Sequence, residues 1–191
     1  MNKIAIFASH NGTIFDTLYE ESLSNLSDIS SSFQIALVIS NNSIAKILEK
    51  AKDKNISNYV VNGSLYDDVD KEILKLLKKH DCEYILLAGY MKKISPVLAN
   101  NFFIINSHPA LLPDFGGSGM YGRFVHEAVI KSGVQKSGVT IHRVNENYDE
   151  GEIILQKTVL LDINETVDSL ENKIKELEKT AVLEALKICL K

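Results

Sequence analysis

Apolar runs of strand length alternate with segments of helical period along the first hundred residues. The runs KIAIFAS, FQIALVIS and EYILLAG are almost wholly apolar, which is typical of strands buried on both faces, and NYVVN is a shorter run of the same kind. Between them lie IFDTLYEESL, SIAKILEKAKDKN and DDVDKEILKLLKKH, whose apolar residues recur every three or four positions; the second helix has Ile44, Ile47 and Leu48 on one face. This alternation predicts an α/β fold with a doubly wound, mostly parallel sheet and helices on both faces.

The second half of the chain begins with a short helix, SPVLANN, that has Pro96 near its start, and continues with the strand FFIIN. A helix (RFVHEAVIKS), two successive strands (GVTIHRV and GEIILQKTVLL) and a long helix that begins near Thr166 follow. The two successive strands predict an antiparallel C-terminal addition to the sheet. No linker or repeat interrupts the pattern, so one domain over residues 1–191 is expected.

Composition narrows the class of protein only a little. A net charge of -4 gives no indication of a nucleic-acid or membrane-surface partner. Cys82 and Cys189 stand at unrelated positions and are expected on apolar faces, and no two histidines have metal-ligand spacing with a third ligand, so no metal is expected. The N-terminal run is too short for a signal peptide or a membrane span, and a cytoplasmic location is therefore expected.

The first candidate site is the turn SHNGTIFDTL, directly after the first strand. A polar, glycine-containing turn between a strand and a helix presents free backbone N–H groups at the positive helix end, which suits a phosphate. Asn11, Gly12 and Thr13 would form this cradle. The turn is neither G-x-G-x-x-G nor a P-loop, and the absent G-x-G-x-x-G argues against a nicotinamide-dependent dehydrogenase. The alternative is an ordinary tight turn with an Asn or Thr cap.

The second candidate site is Asn106 with His108 at the carboxyl end of a predicted parallel strand. Residues two apart on an extended chain point to the same side. Histidine changes protonation near neutral pH, and asparagine donates a hydrogen bond to a developing oxyanion. The alternative is a satisfied loop histidine beside a turn-forming asparagine. Four of the ten glycines follow within FGGSGMYG, as either a surface loop or a mobile segment that closes over a site.

The third candidate is Asp149, in a turn before Gly151 between two predicted strands. Carboxylates in such turns are usually solvated. If the fold places Asp149 beside His108, the carboxylate would raise the histidine pKa and orient the ring. His142 is interpreted as an alternating strand position, and His126 as a residue of the helix after the glycines.

These motifs together resemble a known family. Ser9-His10-Asn11-Gly12-Thr13-Ile14, LAGYMKKIS, the stretch from Asn106 to Pro113, and GVTIHRV followed by YDEGEI are similar, in order and spacing, to the phosphoribosylglycinamide formyltransferase (glycinamide ribonucleotide transformylase) family of purine biosynthesis. The resemblance covers nearly the whole chain. It implies the formyltransferase fold and transfer of a formyl group from 10-formyltetrahydrofolate, a consumed co-substrate, to the amine of 5′-phosphoribosylglycinamide, without a metal. Small-molecule substrates and a monomer or homodimer are expected.

The resemblance also implies a role for individual positions. The catalytic trio would be Asn106, His108 and Asp149. The substrate phosphate would be held by Asn11, Gly12, Thr13 and the backbone of Ile14. The folate pocket would be lined by Met91, Lys92, Lys93, Ile94 and Asn106. Glu178, on the last helix, aligns loosely with a carboxylate that meets the substrate amine.

The chain departs from the family pattern at several places. Ile14 replaces an asparagine that often helps to bind substrate, His10 replaces a glycine, and Lys92 stands where arginine is common. The family has a basic residue on the folate side, and the segment NGSLYDDVD contains no clear counterpart of it. These departures leave part of the phosphate and folate contacts unassigned.

Two kinds of alternative function remain compatible with the sequence. A sugar-amine or methionyl-tRNA formyltransferase and a formyltetrahydrofolate hydrolase share the Asn-x-His and Asp elements, although the transferases usually have Arg-Gly after Leu-Leu-Pro, where this chain has Asp114-Phe115. A non-catalytic nucleotide-binding module would share the doubly wound core, but binding alone does not require an acid, an oxyanion donor and a carboxylate together.

Overall fold

The computed structural model of the chain describes residues 1–24 and 29–190. Within these residues seven strands form one mixed sheet, in the order β3-β2-β1-β4-β5-β6-β7. The strands are β1 Asn2–Phe7, β2 Phe33–Ser40, β3 Ser57–Val60, β4 Tyr84–Leu87, β5 Phe103–His108, β6 Lys136–Arg143 and β7 Ile153–Leu160. The helices are α1 Thr13–Ser22, α2 Lys46–Asp53, α3 Val69–Lys79, α4 Pro96–Asn101, α5 Arg123–Ser132 and α6 Val167–Cys189.

The predicted fold class is confirmed. Strand β1 pairs in parallel with β2 and with β4, and β2 pairs in parallel with β3, whereas β6 and β7 are antiparallel. The chain divides into two compact units, residues 1–105 with Leu190, and residues 106–189. The expectation of a single domain over residues 1–191 stays a prediction.

The first unit is built around β1, whose last four residues are buried. Residues Ile4 to Phe7 of β1 are buried, and Phe15 of α1, Phe33 of β2 and Leu77 of α3 are buried with them. Helix α3 begins where the Asp68 side chain accepts a hydrogen bond from the Lys71 N–H and ends with two lysines, in the order that the helix dipole favours. The burial pattern therefore follows the apolar runs of the sequence.

Three predicted boundaries in the first unit are wrong. Strand β1 ends at Phe7 rather than Ser9, and β4 has only four residues, from Tyr84 to Leu87. Helix α2 begins at Lys46, so Ile44 lies outside it with 86% of its surface exposed, whereas Ile47 is buried as expected. The Asn42 side chain accepts a hydrogen bond from the Ile44 N–H, and such a turn competes with helix formation.

The second unit contains the longest helix. Helix α6 packs on β6 and β7 through residues that recur at three- and four-residue spacing, namely Leu170, Ile174, Ala181, Val182, Ala185 and Leu186. Neither α6 nor any other helix in residues 1–24 and 29–190 has both the length and the apolar character that a bilayer crossing needs. Cys82 and Cys189 are both free thiols, and burial raises the pKa of Cys82 to about 12.

Gly138 of β6 lies opposite Thr158 of β7. A Cβ atom at Gly138 would lie 2.0 Å from the backbone oxygen of Lys157, which cannot move aside as a side-chain end can. Gly138→Ala is therefore expected to lower the free energy of unfolding by about 2–3 kcal/mol, measured by urea denaturation. Gly63→Ala is the matched control, because nothing lies within 4 Å of a Cβ there. An equal effect of the two substitutions would contradict the account.

Candidate active site

The side chains of Asn106 and His108 project from the end of β5, which the structure extends to His108 itself. His108 is 3% exposed, and Asn106 is half-buried. The bend at Leu112-Pro113, a cis peptide bond, takes the chain away from the strand, and Phe115 then adopts a left-handed conformation with φ 55°. This turn brings the Phe115 carbonyl oxygen to 2.8 Å from His108 Nε2.

Asp149 lies in the turn between β6 and β7, as the sequence predicts, and the structure places it beside the histidine. The distance from His108 Nδ1 to Asp149 Oδ2 is 3.6 Å. The Gly117 N–H donates a hydrogen bond of 2.9 Å to the same oxygen. Asp149 has φ 56°, a left-handed conformation that is uncommon for a residue other than glycine, and such strain is often found at functional sites.

His142 is a fourth member of this cluster that the sequence analysis missed. Its Nε2 atom is 3.5 Å from Asp149 Oδ1 and 3.1 Å from Asn106 Nδ2. Its Nδ1 atom is 3.0 Å from the Arg143 carbonyl oxygen. One signal was available: a histidine at a buried position of a strand whose other central residues are apolar needs polar partners.

The acceptors around each ring determine where the histidine protons lie. Because Phe115 offers only a carbonyl oxygen, His108 Nε2 carries a proton and donates it. By the same argument His142 Nδ1 donates to the Arg143 carbonyl, which leaves His142 Nε2 to accept from the Asn106 amide. These assignments follow from the hydrogen-bond network, and they orient the Asn106 side chain.

Burial and charge act against each other on His108. Burial lowers the pKa of His108, and the neighbouring His142 adds to this effect, whereas Asp149 and the hydrogen bond to Phe115 raise it. The net direction is downward. The sequence-based expectation that Asp149 raises this pKa describes one contribution correctly, but burial outweighs it.

The Asp149 carboxylate is stabilised in its charged form. Burial alone would raise the pKa of Asp149, but the neighbouring His142 and His108 rings and the Gly117 N–H together lower it. Gly116 is packed closely here, since a Cβ atom would meet Leu112 at 2.5 Å and Asp149 at 3.2 Å. The start of the glycine-rich segment therefore helps to fix Asp149, and closure of the segment as a lid stays a prediction.

Glu178 of α6 lies beside Ser107. Burial raises the pKa of Glu178, and the Ser107 hydroxyl lowers it in part. The contact is a loose one, because Ser107 Oγ has no partner of normal hydrogen-bond distance and angle among the residues described. By strand alternation Ser107 points to the opposite side of β5 from Asn106 and His108. The assignment of Glu178 to a substrate amine stays a prediction.

In the first unit, the predicted phosphate turn leaves its helix end open. Gly12, with φ 69°, is the residue before α1, and no side chain caps this helix. The alternative of an Asn or Thr cap is therefore wrong, and the first N–H groups of α1 remain available to a ligand. Asn11 and Thr13 are exposed, whereas the Ile14 side chain is buried in the core, so Ile14 can contact a ligand only through its backbone.

Ser9 connects the phosphate turn to the segment predicted to bind folate. The Ser9 hydroxyl accepts a 2.8 Å hydrogen bond from the Met91 N–H, and the Ser9 N–H donates to the Gly89 carbonyl. The Asn42 side chain donates to the Ser9 carbonyl. Met91, Lys92 and Lys93 are exposed and Ile94 is buried. The ends of β1, β2 and β4 are thus held together by one small side chain.

Comparison with known proteins identifies the family of this chain. The family model described as formyl transferase matches residues 2–186. The chloroplastic phosphoribosylglycinamide formyltransferase of Arabidopsis thaliana is 36% identical over 190 residues, which are 96% of this chain and 64% of that protein. The corresponding protein of Bacillus subtilis (strain 168) is 33% identical over 183 residues, 93% of this chain and 89% of that one. The chain therefore spans slightly less than two thirds of the plant relative and most of the bacterial one.

Solved structures give the same result. The crystal structure of phosphoribosylglycinamide formyltransferase from Streptococcus pneumoniae TIGR4 superposes with a TM-score of 0.85 at 33% identity and covers 100% of both chains. The one from Anaplasma phagocytophilum has a TM-score of 0.87 at 29% identity, covering 98% of this chain and 86% of that one. Formyl transferase is thus the class of protein that the fold and the site define. More particularly, the chain belongs to the phosphoribosylglycinamide formyltransferase family, which confirms the resemblance read from the motifs.

The opposing effects on His108 can be separated by experiment. Asp149→Asn removes the charge that raises the His108 pKa, so this pKa is expected to fall further below its ordinary value. The measurement is an NMR titration of the histidine ring protons, with His80, in the first unit, as an internal reference. Glu150→Gln, an exposed neighbour, is the matched control. An unchanged or raised His108 pKa in Asp149→Asn would contradict the electrostatic account.

Proposed function

We propose that the protein transfers the formyl group of 10-formyltetrahydrofolate to the amine of 5′-phosphoribosylglycinamide, a step of purine biosynthesis. The observation that carries this proposal is the cluster of Asn106, His108 and Asp149, with two hydrogen-bond donors beside a buried carboxylate, in a chain of this family. Both substrates are small molecules. We expect the protein to act in the cytoplasm as a monomer or homodimer, without a metal; the described residues contain no group of three or more His, Cys, Asp or Glu fit to hold one.

The reaction needs stabilisation of a negative oxygen. The neutral substrate amine attacks the formyl carbon, a C–N bond forms, and the carbonyl oxygen becomes an oxyanion in a tetrahedral intermediate. One N–H of the Asn106 amide is engaged by His142, which leaves the second N–H to donate to that oxygen. His108 would supply the other donor once its Nε2–H exchanges the Phe115 carbonyl for the oxyanion. Donors that are already oriented stabilise such charge most effectively.

The lowered pKa of His108 has a mechanistic consequence. Before reaction the ring is mostly neutral at neutral pH, which keeps it from protonating the attacking amine. The neutral ring stabilises the developing oxyanion by donating a hydrogen bond to it, and Asp149 lies at the other ring nitrogen. The proton that the amine loses passes, through a bound water beside Asp149, to the folate nitrogen as its bond to the formyl carbon breaks.

Binding of the two substrates is assigned to the first unit and β5. Asn11, Gly12, Thr13 and the backbone of Ile14 would hold the ribonucleotide phosphate at the uncapped end of α1. The folate would lie against Met91, Lys92, Lys93, Ile94 and Asn106. Glu178 would meet the substrate amine, and burial raises the pKa of its carboxyl.

Formyl transfer is the direct test. The purified protein, 10-formyltetrahydrofolate and 5′-phosphoribosylglycinamide should release tetrahydrofolate, followed by absorbance, only when the ribonucleotide is present. Asn106→Ala should lower kcat about 10²- to 10³-fold, because one oxyanion donor is lost. Asn101→Ala, an exposed residue at the end of α4, is the control. Release without the ribonucleotide would indicate a hydrolase, and no release by a folate-binding protein would indicate another amine acceptor.

The connection made by Ser9 gives a second test. In Ser9→Ala the Met91 N–H loses its acceptor, so the segment predicted to bind folate should lose its position. The lost hydrogen bond contributes about 1 kcal/mol, so KM for the folate should rise about fivefold while kcat changes little. Ser132→Ala, at the end of α5, is the control. A change in kcat with an unaltered KM would contradict a positioning role for Ser9.

A further inference from the structure

A cleft of about 670 Å³ lies in the first unit, at the amino ends of strands β1, β2 and β3. Lys3, Phe33 and Ser57 mark these strand ends, and the cleft also includes Tyr19 of α1. The phosphate turn follows the opposite, carboxyl end of β1. Five residue steps of about 3.3 Å separate the two ends of this strand, so the cleft is about 17 Å from the turn. It is therefore distinct from the residues assigned to formyl transfer.

The charges that line this cleft are of one sign. Its lining includes Lys3, Lys54, Lys79 and His80, and no aspartate or glutamate belongs to the described lining residues. Lys3 pairs with Asp81 at 2.9 Å, but the Asp81 side chain is 76% exposed. Exposed pairs of this kind contribute at most about 1 kcal/mol, so Lys3 can turn to another anion at little cost.

The other two lysines are held by neutral partners. The Lys54 ammonium lies 4.5 Å from the centre of the Tyr19 ring. The Lys79 ammonium lies 5.6 Å from the Tyr59 ring centre and donates a 3.2 Å hydrogen bond to the Tyr59 hydroxyl. Aromatic rings orient an ammonium group without cancelling its charge. Both cations are thus positioned, and neither has an ion-pair partner among residues 1–24 and 29–190.

The carboxyl ends of two helices carry partial negative charge, which offsets part of the positive charge of these lysines. Helices α2 and α3 end at Asp53 and Lys79, with Lys54 and His80 as the following residues. Each carboxyl end carries about half a negative charge, so the two together offset roughly one of the two lysines. A net positive field remains, and Lys3 can add to it.

His80 supplies a polar group without a partner. Its Nε2 atom is buried and has no hydrogen-bond partner in the described part of the chain. The ring is held against Tyr59, with 5.9 Å between the ring centres. A buried polar atom of this kind is uncommon in a folded protein, because its desolvation is not repaid. A ligand oxygen would satisfy it once the ring turns toward the cleft, because the atom has almost no exposed surface.

We propose that this cleft, defined by Lys3, Lys54, Lys79 and His80, binds a small phosphorylated molecule of about nucleotide size. The lysines would hold the phosphate, and His80 Nε2 would bond to a ligand oxygen. The volume is within the range of about 300–1,000 Å³ typical of small-molecule sites and exceeds the need of a bare phosphate. Phe33, Ile35 and Ile56 provide apolar surface for the remainder of the ligand.

AMP is a suitable probe, with adenosine as the control that lacks the phosphate. Backbone amide NMR of the wild-type protein should show saturable shifts at Gln34, Asn55 and Ser57 with AMP and none there with adenosine. The amides of residues 11–14 report separately on the turn assigned to the substrate phosphate. Shifts confined to residues 11–14 would overturn the proposal. So would a failure to saturate with AMP up to about 10 mM, which is ten times the Kd of a ligand bound by ~4 kcal/mol.

Two double variants distinguish binding by particular lysines of the cleft from general attraction to positive charge. The double variant Lys54→Gln with Lys79→Gln should weaken AMP binding in the cleft at least about tenfold, because two charge-assisted contacts are lost. Lys52→Gln with Lys78→Gln changes the net charge equally on the same two helices, outside the cleft, and should change binding less than about twofold.

Equal weakening in the two double variants would overturn the proposal. If Lys54→Gln with Lys79→Gln does not fold, as judged by thermal unfolding, Lys54→Arg and Lys79→Arg replace it. These variants keep the charge and should retain binding within about threefold, because arginine also binds phosphate. Loss of binding in the folded arginine variants would equally count against the lysines as phosphate ligands.

Discussion

The buried carboxylate of Asp149 is the constraint on which the rest of the site depends. Removing a carboxylate from water is costly unless charge and hydrogen bonds compensate it. Here the Gly117 N–H of the glycine-rich segment donates to the carboxylate, and two histidine rings, from β5 and β6, lie within 3.6 Å of it. Because these groups must converge on one side chain, the end of β5, the turn after β6 and the chain around Gly117 are held in a single arrangement.

This constraint also explains two local departures from relaxed geometry. Phe115 and Asp149 are both left-handed, and both contribute directly to the cluster, Phe115 through its carbonyl and Asp149 through its carboxylate. Strain of this kind costs about 1–3 kcal/mol per residue and persists only where surrounding contacts repay it. Gly116, between the Phe115 carbonyl and the Gly117 N–H, allows the backbone to approach Asp149, since a side chain there would clash with Leu112.

The fold could be predicted from the sequence where apolar periodicity is unambiguous, but not where a single side chain determines the boundary of an element. The bounds of β2 and α5 agree with their apolar and amphipathic runs residue by residue. Ile44 was predicted to lie in the second helix. The Asn42 side chain instead accepts a hydrogen bond from the Ile44 N–H, and this single bond keeps Ile44 in a turn. The position of Asp149 in a turn was foreseeable, but its distance from His108 was not, since α5 and β6 lie between the two residues along the chain. Likewise, periodicity places His142 on a strand but does not reveal that its ring contacts Asn106.

The hydrogen bonds around His142 have a direction. The Arg143 carbonyl accepts from one nitrogen of the ring, so the other nitrogen must accept from Asn106, and the amide group of Asn106 is forced to present its nitrogen inward. An aspartate at position 106 would have nearly the same shape as the asparagine but no proton to give. It would also set a second negative charge close to Asp149. The site therefore requires an amide at this position because a proton must be donated there. An aspartate, which has nearly the same shape, cannot replace it.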